Sequence, residues 1–183
     1  MRRWFIGALL AAPFFAHGQV QHAEALVHQE QQGTLLRLRE QAPAPPSCKQ
    51  VIGQGEIGPV VGKFSILFFW GPWCAPCKPG LAALGDIARA GASDLHIASA
   101  AFIDPGGEDV AQAKAEVRAD IEKYRPAAPV CIYEDAQQQK AWGAEGVPVL
   151  VMFDKQGRAL RFLMGGPRTL EFLKLVESGW RPR

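Results

Sequence analysis

The chain has 183 residues, with 20 Lys and Arg against 18 Asp and Glu, a formal net charge of +2 and 48% hydrophobic residues. This length predicts one domain with a sizeable core, and the composition excludes a wholly disordered chain and a disulfide-knotted mini-protein. No apolar run reaches the roughly 18 residues of a membrane span, which excludes a polytopic membrane protein. No basic block or stripe occurs, so we do not expect nucleic acid as a partner.

Residues 1–18 predict a secretory signal peptide. Met1-Arg2-Arg3 is a basic start, an apolar run follows over residues 4–16, and Ala16 and Gly18 are small residues where a signal peptidase reads. An uncleaved N-terminus that acts as a membrane tether is the alternative. Export predicts a periplasmic location, where disulfides form and persist.

Residues 19–46 predict an arm and a spacer ahead of the folded domain. Residues 19–41 are rich in Gln, Glu and His, and their apolar positions form no clean stripe, which indicates a solvated helix or a partly ordered arm. A short helix that joins two copies into a homodimer is the alternative. Residues 42–46 read Ala-Pro-Ala-Pro-Pro and predict a stiff, extended spacer, so we place the start of the domain at residue 47.

Alternating strand and helix patterns predict an α/β domain over residues 47–183. Residues 64–70 form a continuous apolar run, which is typical of a strand buried on both faces. The turn at residues 155–157 predicts a hairpin between the last two strands. Further strands are predicted at 95–102, 130–133, 149–154 and 158–163, and helices at 75–90, 109–124, 136–142 and 169–177. This order indicates a central mixed β-sheet flanked by helices.

Two cysteines three positions apart, Cys74 and Cys77, fall where an apolar strand gives way to a helix. Unpaired N–H groups and the helix dipole favour a thiolate there, so we expect a lowered pKa for Cys74 and attack on disulfides by its sulfur. Cys77 would resolve the mixed disulfide, and Pro76 suits the first turn, where its missing N–H is tolerated. A static disulfide and half of a zinc site are the competing interpretations. No second ligand pair follows at zinc spacing, so we expect no metal and no cofactor.

A proline directly before a predicted strand is the second functional element. Pro148 follows Val147, and a proline cannot donate to the hydrogen-bond ladder of a sheet. A cis Val147–Pro148 bond in a tight turn explains this placement. An ordinary trans proline at a strand start is the alternative, and the nearby cysteine pair favours the cis form.

Residues 69–78, Phe-Trp-Gly-Pro-Trp-Cys-Ala-Pro-Cys-Lys, and Val147-Pro148 resemble the thioredoxin superfamily over about residues 60–180. The predicted signal peptide, the FWxxWCxPC pattern and the long gap between Cys77 and Pro148 are most similar to the exported TlpA/ResA-type thiol–disulfide oxidoreductases. The resemblance implies a thioredoxin-like fold with a helix-and-strand insertion at about residues 105–133.

The resemblance also implies an enzyme that exchanges a dithiol or disulfide with cysteines of partner proteins, served by an electron-donor or acceptor protein. It favours reduction, for example of cysteines awaiting haem attachment. Val147, where other members commonly have Thr or Ile, leaves a disulfide oxidase or isomerase open. A non-catalytic metal chaperone or assembly factor on this fold is a further alternative. The residues implied are catalytic Cys74 and Cys77, substrate-binding Trp73, Val147 and Pro148, and supporting Trp70, Ala75 and Pro76.

One position departs from the thioredoxin pattern. Members of the superfamily carry a buried acid six positions before the first cysteine, where this chain has Phe68. Either another acid moves the proton of the resolving thiol, with Glu145, Asp104 and Glu122 as candidates, or Cys77 loses its proton less readily.

Cys48 and Cys131 lie outside the pair. They are inert structural thiols, a disulfide that ties the arm to the domain, or a regulatory pairing with the active site. The sequence leaves all three open because it does not give the Cα separation that a bridge requires.

Overall fold

The computed structural model describes residues 31–104, 106, 109–127 and 129–182. Their strands form one six-stranded mixed sheet in the order β1-β4-β3-β2-β5-β6. Strand β3 pairs in parallel with β2 and with β4. The other three pairs, β1 with β4, β2 with β5 and β5 with β6, are antiparallel. The strands are β1 (Gln50–Ile52), β2 (Phe64–Trp70), β3 (Leu95–Phe102), β4 (Val130–Tyr133), β5 (Val149–Phe153) and β6 (Ala159–Met164).

Strand β2 lies between β3 and β5 and separates two hydrophobic cores. Ile66, Phe68 and Trp70 belong to the first core, whereas the alternate residues Leu67 and Phe69 belong to the second. Side chains alternate between the two faces of a strand. The continuous apolar run of β2 therefore fills both cores, as the sequence predicts for a strand buried on both faces.

The described residues form five α-helices and one 3-10 helix beside the sheet. Aspartates cap two of these helices: the side chains of Asp109 and Asp135 accept backbone N–H groups from the first turns of α3 and α4. The helices are α1 (residues 31–40 of the described chain), the 3-10 helix Ala75–Cys77, α2 (Lys78–Arg89), α3 (Val110–Tyr124), α4 (Ala136–Ala141) and α5 (Gly166–Glu177). None of the helices in the described part of the chain is long and apolar enough to cross a membrane.

Three details differ from the sequence prediction. The helix predicted over residues 75–90 starts with a 3-10 turn and continues as α2. The last helix, α5, begins at Gly166 and not at Thr169, because the backbone N–H of Thr169 already donates to the Gly165 carbonyl at 3.2 Å. Strand β1 was not predicted, since its three residues are set by pairing with β4, with Val51 opposite Cys131.

Residues 31–46 of the arm pack against the domain, and residues 31–183 form one compact unit. Leu38 on α1 is 1% exposed and belongs to the second core. Arg39 Nε donates to the Ala159 carbonyl at 2.7 Å, and Trp142 Nε1 donates to the Ala44 carbonyl at 3.2 Å. The predicted signal peptide and residues 19–30 lie outside the described residues, so the division at residue 46 stays a prediction.

Candidate active site

The two cysteines follow β2 through a short turn. Cys74 N–H donates to the Gly71 carbonyl, and Cys77 N–H donates to the Cys74 carbonyl, each at 3.0 Å. The helical stretch from Ala75 through Arg89 begins directly after Cys74. Cys74 thus lies at the N-terminal end of a helical stretch, where backbone N–H groups favour negative charge on a sulfur.

Cys74 and Cys77 form a disulfide with their Cα atoms 5.3 Å apart. Cys74 is 5% exposed and Cys77 is completely buried. A sulfur that attacks or is attacked must be reached from outside, and Cys74 is the more exposed of the two residues.

The loop that contains Pro148 is connected to the turn between the cysteines through Gly165 and Gly166. The Val147–Pro148 bond is cis, and the Gly165 N–H donates to the Pro148 carbonyl at 2.9 Å. The next residue, Gly166, lies so close to Pro76 that an added Cβ would be 3.0 Å from the Pro76 Cβ. The corner between β6 and α5 therefore contacts both the proline loop and the turn between the cysteines.

Trp73 provides an exposed aromatic surface next to Cys74. Its indole covers Gly71, where an added Cβ would be 2.7 Å from the ring, and it packs edge-on against Phe102 at 5.9 Å. Trp73 is nevertheless 45% exposed. Ala75 and Pro76 are exposed as well, whereas Trp70 is buried and donates from Nε1 to Ser99 Oγ at 3.3 Å.

The aromatic cluster below Trp73 remains uncharged at neutral pH. Phe102 packs against Tyr133 with ring centroids 5.3 Å apart, and Tyr133 is completely buried. Burial, with the Asp135 carboxylate as a second cause, raises the pKa of Tyr133 above its ordinary value. Trp73 therefore rests on an apolar support that does not titrate in the physiological range.

Phe68 stands at the sequence position where the resemblance leads us to expect a buried acid. The ring is completely buried against α2, and a Cβ added at Gly80 would lie 2.8 Å from Phe68 Cζ. The candidate replacements Glu145, Asp104 and Glu122 are all exposed.

The acid that contacts the surroundings of the cysteine pair is Asp120 of α3. Its carboxylate pairs with Lys78, the residue after Cys77. Sequence reasoning missed Asp120, although one signal was available: it lies three positions after Val117, a buried residue of α3, and so on the same face of that helix.

The other two cysteines form a second disulfide, Cys48–Cys131, with a Cα separation of 5.3 Å. Of the three alternatives that the sequence leaves open, the structure therefore has the bridge between arm and domain. Cys131 is completely buried in β4. The described residues contain no cluster of three or more His, Cys, Asp or Glu side chains placed to hold a metal ion.

No protein-family model matches the chain. A curated relative, thiol-disulfide oxidoreductase ResA from Geobacillus thermodenitrificans (strain NG80-2), is 24% identical over 117 residues, which cover 64% of this chain and 63% of the relative. The chain thus matches less than two thirds of that protein's length.

Solved structures show the same fold. A thiol-disulfide isomerase from Corynebacterium glutamicum superposes with a TM-score of 0.60 at 17% identity, over 76% of this chain and 96% of the other. StoA from Bacillus subtilis superposes with a TM-score of 0.51 at 18% identity, over 64% and 85%. The protein has a thioredoxin-like fold. The predicted thioredoxin-like fold is thereby confirmed, and the predicted resemblance to the ResA type agrees with the similarity to the curated relative.

Proposed function

We propose that this protein is an exported thiol–disulfide oxidoreductase that reduces disulfides in partner proteins. The observation that carries the proposal is the Cys74–Cys77 disulfide at the start of a helical stretch, with Cys74 the more exposed of the two cysteines. The similarity to ResA supports this activity.

The exchange proceeds in two balanced steps. The Cys74 thiolate attacks one sulfur of the partner's disulfide, so that a Cys74–partner disulfide forms and the other partner sulfur leaves as a thiolate. Cys77 then loses its proton and attacks the Cys74 sulfur, which releases the second partner thiolate and forms the Cys74–Cys77 disulfide. Two electrons pass to the partner, and an electron-donor dithiol protein returns the pair to the reduced state.

The surface around Cys74 suits an extended polypeptide. The exposed Trp73 ring lies on one side of the disulfide, and the corner at Gly165 and Gly166 connects the Pro148 loop to Pro76. Aromatic rings at the centre of an interface contribute strongly to binding. We assign Trp73, Val147 and Pro148 to contact with the partner's backbone on this basis.

An oxidising compartment suits the rest of the chain. The Cys48–Cys131 disulfide is of the kind that persists outside the cytosol, and the predicted signal peptide would direct the chain there. We therefore place the protein in the periplasm.

Reduction of insulin with dithiothreitol as electron donor tests the activity. We expect the full chain to accelerate insulin precipitation and a Cys74→Ser variant to have no effect above the background reaction. A double variant, Cys48→Ser with Cys131→Ser, is the matched control that removes the other disulfide and should keep the activity. Wild-type protein without Cys74-dependent turnover would refute the proposed function.

The direction of exchange has its own measurement. Equilibration of the Cys74–Cys77 pair with glutathione buffers gives its reduction potential. A reductase predicts a value near that of thioredoxin, about −270 mV, whereas a value near that of the oxidase DsbA, about −120 mV, would reverse the direction.

A further inference from the structure

Lys78 connects three separate parts of the molecule beside the cysteine pair. Its ammonium nitrogen donates to the Pro72 carbonyl at 2.8 Å, pairs with the Asp120 carboxylate of α3, and lies 5.8 Å from the centre of the Trp70 ring. The Lys78 and Asp120 side chains are 20% and 15% exposed. A pair this far from solvent is screened less than a surface ion pair.

The location of Lys78 is unfavourable for the helix that contains it. Lys78 is the first residue of α2, and the first turn of α2 has no acidic residue. A cation at this end of a helix opposes the helix dipole. Helix stability therefore does not account for Lys78, whereas the contacts of its ammonium group do.

The Pro72 carbonyl belongs to the turn that places the reactive groups. Gly71 accepts the Cys74 N–H, Pro72 follows, and the Trp73 indole then folds back over Gly71. A restraint on the Pro72 carbonyl is thus a restraint on the backbone that carries both Trp73 and Cys74.

The other end of the restraint lies in the segment between β3 and β4, which the sequence predicts as an insertion. Helix α3 also touches α2 further along, where Gly85 meets the backbone carbonyls of Tyr124 and Arg125. Because α3 is held against α2 there as well, Asp120 is a fixed anchor for the ammonium of Lys78.

We propose that Lys78 and Asp120 form a positioning pair that holds the turn at residues 71–74 for partner binding. This inference rests on the proposed function. The ammonium of Lys78 contacts the Pro72 carbonyl, the Asp120 carboxylate and the Trp70 ring, and the pair therefore acts beside the reacting sulfurs and not on them. Their effect is on the position of Trp73 and hence on recognition of a protein disulfide.

The test compares a large and a small disulfide substrate in the full chain. For Lys78→Met and for Asp120→Asn we expect kcat/KM with insulin to fall about tenfold, mainly through KM, because each change removes a hydrogen bond to a charged group. Turnover of oxidised glutathione, which offers far less polypeptide surface to the Trp73 ring than insulin does, should stay within about twofold of wild type. Since the two side chains act as one unit, the double variant should be no worse than either single variant.

Two further variants separate positioning from general damage. Lys78→Arg keeps a cation that can donate to the Pro72 carbonyl and to the Asp120 carboxylate, so its insulin turnover should stay close to that of wild type. Lys114→Met breaks the other described ion pair of α3, Lys114–Glu134 at 3.0 Å, and is the matched control that should behave as wild type.

Each outcome decides one claim. Insulin turnover unchanged in both Lys78→Met and Asp120→Asn would overturn the positioning pair and leave the proposed function intact. A parallel fall with insulin and glutathione would also overturn it, since the effect would then not depend on the partner surface. Absence of Cys74-dependent turnover in the wild type would instead refute the proposed function.

Discussion

Cys74 and Cys77 differ in exposure, 5% against 0%, and the roles proposed for them rest on this difference. Both belong to the first core, and Cys74 is the one that keeps some contact with solvent. The sequence predicts this order from the strand-to-helix position alone, because the first of two cysteines there precedes the helix and the second is buried by its first turn. The spacing of the two cysteines does not predict that the Trp73 ring folds back over Gly71, which the structure shows.

Truncation of Trp73 tests its part in partner binding. Trp73→Ala should raise KM for insulin about tenfold, because the ring is an exposed aromatic on the proposed contact surface. Leu175→Ala removes another exposed apolar side chain, 49% exposed on α5, and serves as the control. Equal KM values for the two variants would remove Trp73 from the contact surface.

Asp120 shows the limit of sequence reasoning at this scale. Its partner Lys78 is 42 positions away, and their contact depends on how α3 packs against α2. Periodicity places Asp120 on the inner side of its helix but does not say which side chain it meets. The candidates Glu145, Asp104 and Glu122 were chosen by residue type and position along the chain, and all three are exposed.

At the scale of elements, α2 is the helix on which the site depends. It approaches β2 at Gly80, against the Phe68 ring, and α3 at Gly85, against the Arg125 carbonyl. Two small residues on one helix therefore allow close packing on two sides. The sequence predicts the helix from its leucines, but it does not show that Gly80 and Gly85 are sites of close packing, because that depends on the neighbouring elements.

Gly85→Ala tests the contact between α2 and α3. An added Cβ would overlap the Arg125 carbonyl oxygen, so we expect a loss of roughly 1–3 kcal/mol in the free energy of unfolding by urea. Gly33→Ala on α1 is the matched control, because its Cβ would meet nothing within 4 Å. That change should stabilise by roughly 0.5–1 kcal/mol through helix propensity. Stabilisation by both changes would contradict the close approach.

The hairpin between β5 and β6 contains a carboxylate whose pKa is lowered. Burial of Asp154 acts to raise this pKa. Hydrogen bonds from the Arg158 and Gln156 backbone N–H groups and from the Arg158 side chain act to lower it, and their combined effect is the larger one. A carboxyl group with a lower pKa in the folded state stabilises the fold above its unfolded pKa of about 4. That stability is lost as the pH falls through the folded pKa.

The substitution Asp154→Asn tests this contribution of the ionised carboxylate to stability. At pH 7 the variant should be less stable than wild type by about 1 kcal/mol, because the bond from the Arg158 side chain loses its charged acceptor. Urea unfolding at a series of pH values should show this difference shrinking below about pH 4. A difference that stays constant down to pH 2 would show that the ionised carboxylate of Asp154 is not responsible.

At the scale of the whole molecule, one disulfide joins the beginning of the described chain to its sheet. Cys48 follows the Pro-rich segment, and its partner Cys131 lies in β4, 83 positions later. The contacts of Leu38, Arg39 and Ala44 with the domain lie on the N-terminal side of this bridge. The disulfide therefore fixes the segment whose apolar residues complete the second core.

Removal of this bridge should change stability and not exchange chemistry. The double variant Cys48→Ser with Cys131→Ser should lose roughly 4 kcal/mol in the free energy of unfolding, as expected for a closed loop of this length. Its Cys74-dependent insulin turnover below the unfolding transition should match wild type. Loss of turnover in the folded variant would assign the second disulfide a part in the reaction.

Sequence patterns predict the centre of the molecule better than its edges. Strands β2, β3, β4, β5 and β6 follow from apolar runs, and the helices between them follow from the spacing of their apolar residues. Strand β1 and the packing of residues 31–46 depend on partners far away in the chain, above all on the Cys48–Cys131 bridge. Local periodicity contains no information about such long-range contacts, so strand β1 and the packing of residues 31–46 are seen only in the folded structure.

The most direct test of the account is the capture of a mixed disulfide. A Cys77→Ser variant keeps the attacking sulfur but lacks the resolving one, so this variant, with its Cys48–Cys131 disulfide left intact, should retain an insulin chain linked to Cys74 when it is mixed with insulin. Mass spectrometry of peptides would locate the link, and Cys74→Ser should capture nothing. The account predicts one adduct, on Cys74. No adduct, or an adduct on Cys48 or Cys131, would contradict it.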